Sequence, residues 1–273
     1  MRFEIGNGEF HVGDCFDVMR EMQDGSVDMI LCDLPYGTTS CKWDSVLPLD
    51  ALWSEYRRIA KPNAVIVLTA NQPFTAALVT SNISEFKYAW VWIKSNASGF
   101  ANAKKQPLRA FEDVLVFYRS QPTYNPQGVV RLAEPKRRTK DTGDFMGRTG
   151  FRDGYEQEFT NYPKNILDFR SHSRGFHPTQ KPVALFEYLI RTYTDEGMTV
   201  LDNTAGSGTT AIAAENASRQ WICIERDEEY AEKAMTRIRD HVSGESQPVK
   251  KVVRKPRVMP PAPTHEVAQV SLF

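Results

Sequence analysis

Short apolar runs alternate with stretches of helical periodicity along most of this chain. Residues 26–32 (SVDMILC) are apolar and β-rich and break at Leu34-Pro35-Tyr36-Gly37, which predicts a buried strand ending in a tight turn. Residues 64–70 (AVIVLTA) predict a second buried strand, with Lys61-Pro62-Asn63 as the turn before it. Between them, 49–60 (LDALWSEYRRIA) carries its apolar residues at helical spacing. Further on, MTVLD at 198–202 predicts a strand, AGSG a turn, TTAIAAENA a helix, WICIE at 221–225 a strand, and RDEEYAEKAMTRIRDHV a helix. Strands that alternate with helices predict an α/β fold with a mostly parallel sheet.

Two stretches depart from that alternation. Residues 94–140 hold ten Lys and Arg against three acids, a local charge of about +7, and 141–176 are rich in Gly, Arg and aromatics with weak periodicity. From Val242 the chain turns basic and Pro-rich (PVKKVVRKPR, then MPPAPT), the composition of an extended linker, and ends in Gln269-Val270-Ser271-Leu272-Phe273. The expected organisation is a catalytic domain over 1–242, with 94–176 facing the macromolecular substrate, a linker over 243–268 and a terminal peptide over 269–273.

Composition narrows the class. The 273 residues carry 34 basic and 34 acidic side chains, so a uniformly basic coat is excluded, though a basic patch is not. No apolar run reaches the roughly 18–20 residues of a membrane span, and the start MRFEIGNGEF lacks the uninterrupted apolar stretch of a signal peptide. Four scattered cysteines without a CxxC point away from disulfides and metal knuckles, and fit a reducing cytoplasm.

Three motifs carry candidate chemistry. Asp33-Leu34-Pro35-Tyr36 follows a strand, at the end of an α/β sheet where ligands bind. A carboxylate and a backbone carbonyl there can accept both N–H bonds of an exocyclic amine, and the ring can stack on its base. The alternative is a strand-ending turn with a packed Tyr. Leu201-Asp202-Asn203-Thr204-Ala205-Gly206-Ser207-Gly208 is a strand, a glycine turn and a helix start, which lets backbone approach a ligand. Glu225 ends the next strand, where an acid can bond a ribose diol. The loop lacks GK[ST] and a complete GxGxxG, so phosphate cradling is not its best use; a turn needed only for packing is the alternative. Third, Phe176-His177-Pro178-Thr179-Gln180-Lys181-Pro182 leads into an amphipathic helix, VALFEYLIRTY, with an N-terminal turn and a solvated Lys as the plain reading.

Together these motifs resemble the amino-methylating DNA methyltransferases that use S-adenosylmethionine. Asp-Leu-Pro-Tyr is similar to their (D/N/S)PP(Y/F) catalytic motif, HPTQKP to the helix-leading motif, and LDNTAGSG to the FxGxG cofactor loop. Their order resembles the permuted β group. The segments from GFANAKKQPLRAFEDVLVFYRSQPTYNPQ and HPTQKPVALFEYLIRTYTDEGMTVLDNTAGSGTTAIA resemble phage and prophage members, and the likeness spans roughly 10–240. Two positions depart: Leu34 stands where Pro is usual, and Thr204 where the loop has Phe.

The resemblance implies a circularly permuted Rossmann-like methyltransferase fold with an inserted DNA-recognition region. It implies S-adenosylmethionine as cofactor, no metal, double-stranded DNA as partner, and a bacterial or phage-infected cytoplasm. Asp33 and the Leu34 carbonyl, with Pro35 in the same motif, would accept the target amine, and Tyr36 would stack on the flipped base. Asp202, Thr204, Gly206 and Gly208 would line the cofactor, with Asp202 near its amine. Glu225 would take the ribose, Thr179 and Lys181 the methionine carboxylate, and Asp14 the cofactor's adenine edge. Lys104, Lys105, Arg137 and Arg138 are the candidates for phosphate contact.

Adenine N6 and cytosine N4 share this chemistry; in the family an Asp at the first motif position goes mostly with adenine. No Pro-Cys occurs, which argues against attack on a cytosine ring carbon through Cys. RNA or protein amine methyltransferases place the glycine loop before the catalytic motif, the reverse of this order. A catalytically inert DNA-binding accessory is a further rival. Members of the group often dimerise, and some pair with a restriction enzyme. The terminal QVSLF resembles the peptide by which bacterial sliding-clamp partners bind, with Gln269, Leu272 and Phe273 as anchors. Deleting 269–273 is expected to abolish clamp binding in calorimetry, and unchanged affinity would reject that role.

Overall fold

The computed structural model describes residues 1–37, 45–138, 155–170 and 180–244. Thr179, the linker from residue 245, Gln269, Leu272 and Phe273 lie outside the described residues, as does the side chain of Arg138.

The chain opens with β1 (Arg2–Ile5), β2 (Gly8–Val12), α1 (Cys15–Glu21), β3 (Val27–Cys32), α2 (Leu49–Ile59), β4 (Ala60–Ala70) and α3 (Phe74–Ser81). It continues with β5 (Phe86–Ser98), β6 (Arg109–Phe117), β7 (Val130–Arg138), β8 (Tyr155–Thr160) and β9 (Ile166–Asp168). It closes with α4 (Val183–Tyr193), β10 (Thr199–Asp202), α5 (Thr209–Asn216), β11 (Gln220–Glu225) and α6 (Glu228–Val242). Nine strands form one sheet in the order β1-β2-β11-β10-β3-β4-β6-β5-β9, and β7 with β8 forms a separate ribbon. From β2 through β4 every neighbouring pair is parallel, while β4/β6 and β6/β5 are antiparallel.

The central strands are apolar on both faces because helices cover both. Along β3 and β4, Met29, Leu31, Val65 and Val67 face α4, α5 and α6, while Ile30, Cys32, Ile66 and Leu68 face α1, α2 and α3. That two-residue alternation builds two cores, one on each side of the sheet. On α2, Leu52, Trp53, Tyr56 and Ile59 recur at helical spacing and are buried. Each contributes about 1.5–3 kcal/mol by leaving water, so tertiary packing fixes this helix.

The structure departs from the sequence expectations in two places. Residues 61–63 are not a turn: α2 runs directly into β4, and the ladder with β3 jumps from Val27 opposite Ala60 to Met29 opposite Val65. Pro62 has no N–H to give a ladder, so it sits in this bulged, exposed segment. Nor is 94–176 one insertion. β6 lies inside that span yet sits between β4 and β5 in the main sheet, with Val114, Leu115, Val116 and Phe117 buried. The flanking charges hid this strand from the pattern.

Candidate active site

The sheet changes direction between β10 and β3, which pair in parallel through Val200–Met29 and Leu201–Ile30. From β3 the chain proceeds outward to β4; from β10 it proceeds outward the other way to β11. A crevice opens at the carboxyl ends of strands that diverge like this. It holds a cavity of about 540 Å³, within the usual range for a small-molecule site. Asp33 follows β3 and Asp202 ends β10, and the Thr204 hydroxyl donates to the Asp33 carbonyl at 3.2 Å, joining the two loops.

At one end of the cavity, three donors meet the Asp33 carboxylate. Oδ1 accepts from the Tyr36 hydroxyl (2.7 Å) and the Thr69 hydroxyl (2.5 Å), and Oδ2 accepts from Lys181 Nζ (2.5 Å). The β3/β4 register puts Cys32 opposite Leu68, so Thr69 at the next position falls beside Asp33. Burial, reinforced by the Asp33 charge, pushes the Tyr36 phenol well above its ordinary range, so it stays a donor. Phe74 stacks on the Tyr36 ring at 5.3 Å between centroids. Burial alone would lower the Lys181 ammonium, but the Asp33 and Glu112 carboxylates outweigh it and hold the group above its usual value. Leu34 is buried, and among the described residues its carbonyl oxygen has no hydrogen-bond partner.

The other end is built from the glycine loop. Gly206 (φ +49°) and Gly208 (φ +71°) both take left-handed backbone that L side chains avoid. Glu225 pins this loop: Oε2 accepts from the Gly206 N–H (2.8 Å) and Oε1 from the Asp227 N–H (2.9 Å). Burial raises its carboxyl above the usual value. The fully enclosed Asp202 accepts from the Thr204 N–H (3.1 Å) and the Thr210 hydroxyl (2.5 Å). Desolvation nonetheless pushes it up to about 7. Asp14 caps α1 by accepting from the Phe16 N–H at 2.9 Å, and Gly13 donates to the Glu225 carbonyl, which brings Asp14 to the same wall.

Asp14, Asp33, Leu34, Pro35, Tyr36, Lys181, Asp202, Thr204, Gly206 and Glu225 therefore share one cavity. Gly208 is not in its wall; it caps α5. Lys181, read as a partner of the cofactor carboxylate, instead lies on Asp33. Sequence reasoning missed Thr69, Asn203, Glu112 and Lys94. Asn203 lines the cavity, its Oδ1 accepting from the Tyr56 hydroxyl (2.6 Å) and the Cys32 thiol (2.9 Å). Lys104 and Lys105 are exposed on the β5–β6 connection, and Arg137 is exposed on β7 opposite Glu156.

Fold and site thus define an α/β protein with a buried, hydrogen-bonded carboxylate and a glycine loop sharing one cavity at the sheet's switch point. A model of a DNA methylase family, that of the N6-adenine and N4-cytosine enzymes, matches residues 27–236, and the chain belongs to that family. The DNA adenine methyltransferase YhdJ of Escherichia coli is 29% identical over 254 residues, which cover 85% of this chain and 84% of that protein. Among solved structures, the cytosine-N4-specific PvuII DNA methyltransferase superposes with a TM-score of 0.63 at 18% identity, over 88% of this chain and 92% of that one. The M1.HpyAVI–SAM complex superposes with a TM-score of 0.58 at 22% identity, over 84% and 99%.

Proposed function

We propose that this protein transfers a methyl group from S-adenosylmethionine to the N6 amine of adenine in double-stranded DNA. The observation that carries the reading is the hydrogen-bond state of Asp33. Tyr36 and Thr69 occupy Oδ1 and Lys181 takes one lone pair of Oδ2. A carboxylate oxygen has two lone pairs, so Oδ2 keeps one acceptor position for an incoming amine. The Leu34 carbonyl accepts the second N–H.

The residues fit the cofactor. Glu225 offers its remaining lone pairs to a ribose diol, Asp202 a carboxylate to an ammonium, and the left-handed glycines let backbone pass close to the ligand. When bound, the cofactor supplies a methyl group activated by a sulfonium. Asp33 and Leu34 draw on both amine hydrogens, which localises the nitrogen lone pair and aims it at the methyl group. Tyr36, fixed by Asp33 and Phe74, supplies the ring against which the base lies. The target amine is inaccessible in a stacked duplex, so the base must be flipped out. Lys104, Lys105 and Arg137 supply cationic contacts to the phosphates.

Adenine is favoured over cytosine by the Asp of Asp33-Leu34-Pro35-Tyr36. The nucleoside methylated in treated, unmethylated DNA tests this choice by mass spectrometry. N6-methyldeoxyadenosine supports it, and N4-methyldeoxycytidine overturns the base while keeping the chemistry.

The Asp202 environment predicts a pH dependence. Its folded-state pKa, raised to about 7 from 3.8, penalises the ionised form that a ligand ammonium requires. Cofactor affinity is therefore lost as pH falls through 7, by about eightfold between pH 7.5 and pH 6 if one proton is displaced. Calorimetric titration at several pH values checks this, and Asp202→Asn should flatten the profile.

A further inference from the structure

We propose that Glu112, braced by Lys94, is a positioning residue that cancels the charge of Lys181 beside the reacting atoms. The inference rests on the functional reading above and deepens it. Four charged side chains form a continuous chain in the cavity wall. Lys181 Nζ lies 2.5 Å from Asp33 Oδ2 and 3.4 Å from Glu112 Oε2, and Glu112 Oε1 lies 3.3 Å from Lys94 Nζ. Lys94 in turn donates to the Ser98 hydroxyl at 3.2 Å. The side chains of Lys181, Lys94 and Glu112 are 7%, 9% and 11% exposed, so solvent screens them little.

The register explains how they meet. Trp92 on β5 pairs with Glu112 on β6, and Lys94 is two positions along from Trp92, on the same face. Burying charges is costly unless each is paired, and clamping Asp33 needs Lys181 alone. Among the described residues, Glu112 Oε2 accepts no hydrogen bond in good geometry although it is buried. Its contribution at that atom is charge.

The chemistry gives that charge a purpose. The amine nitrogen uses its lone pair to form the N–C bond as the C–S bond breaks and sulfur keeps the pair. Positive charge thus passes from sulfur to nitrogen, and the extra proton then leaves the nitrogen for Asp33 Oδ2. As Asp33 takes that proton, Lys181 loses its nearest counter-charge, and Glu112 is the carboxylate that still offsets it beside the cationic centres. With Glu112 in place the four-residue wall is neutral. Glu112→Gln leaves it with one net positive charge at almost unchanged shape.

The test compares binding of S-adenosylmethionine with that of its neutral product, S-adenosylhomocysteine, by calorimetry on the full-length protein. Glu112→Gln should weaken the sulfonium ligand about tenfold relative to the neutral one, since a like charge acts only on the cation. A structural defect weakens both alike. The variant should also lower kcat roughly ten- to a hundredfold with the KM for DNA nearly unchanged, because the amine is neutral until the transition state. On a Lys181→Met background, adding Glu112→Gln should still shift the ratio against the sulfonium ligand, because the lost charge acts through space. If Glu112→Gln does not fold, Lys94→Met is read in its place; removing a cation, it should shift the ligand ratio the opposite way. An unchanged ratio, or equal weakening of both ligands, overturns the proposal. A wild-type protein that neither binds the sulfonium ligand nor methylates DNA overturns the functional reading instead.

Discussion

Asp33→Ala is expected to lower the single-turnover rate of methyl transfer by about 10²–10³-fold, the scale for losing a group aimed at developing charge. The Asp33 carboxylate keeps a lone pair on Oδ2 beside the Leu34 carbonyl, which has no hydrogen-bond partner among the described residues. Asp33→Asn should fall nearly as far. Tyr36 and Thr69 donate to one oxygen and Lys181 to the other. With its NH₂ toward Lys181 the amide leaves the amine without an acceptor; with its NH₂ toward Tyr36 and Thr69 both hydroxyls must turn, and in either case the negative charge that draws the amine proton is gone. Cofactor affinity should fall much less, by about tenfold, through the lost negative charge. Rapid-quench kinetics with labelled donor, beside calorimetry, separates the two quantities. A variant that turns over within tenfold of wild type would remove Asp33 from the chemistry.

Gly208→Ala is expected to cost about 2–5 kcal/mol of stability, from left-handed backbone and overpacking together. The residue sits at φ +71°, and an added Cβ would lie 2.9 Å from Ile238 Cδ1 and 3.2 Å from its Cγ1. Ile238, on α6, is fully buried, so its side chain can make room only by shifting against core neighbours. For a chain of this size the loss lowers Tm by roughly 5–15 °C. Gly208 also donates its N–H to the Ala205 carbonyl at 2.8 Å, so strain here displaces the loop that Glu225 pins. Thermal unfolding with and without cofactor reads both effects. An unchanged Tm would mean that α6 yields more readily than its packing indicates.

What could be read from the sequence is what local chain chemistry determines. Asp33 and Asp202 are marked by apolar strands that end in turns, Gly206 and Gly208 by a turn that needs left-handed backbone, and Glu225 by the next strand's end. Helix α4 is marked by its apolar stripe, and its bounds agree residue for residue with the expectation. The partners of these residues are another matter. Thr69 and Asp33 are 36 positions apart, and Lys181 and Asp33 are 148 apart. Only strand register and the return of the chain at α4 bring them together. Glu112 and Lys94 were counted as part of a basic run because net charge takes no account of which side chains face each other. The hairpin β1–β2 and helix α3 were missed for a different reason. The hairpin begins the chain with half-exposed residues, and α3 has no clear apolar stripe.

The central claim is that this cavity delivers a methyl group to an exocyclic amine through Asp33. Its most direct test is incubation of purified protein with methyl-labelled S-adenosylmethionine and unmethylated bacterial DNA, followed by digestion and location of the label. Label on the exocyclic amine of a base with wild type, and none above background with Asp33→Ala, is the predicted result. Label on a ring carbon, equal label with both proteins, or no label despite intact binding of cofactor and DNA would contradict it.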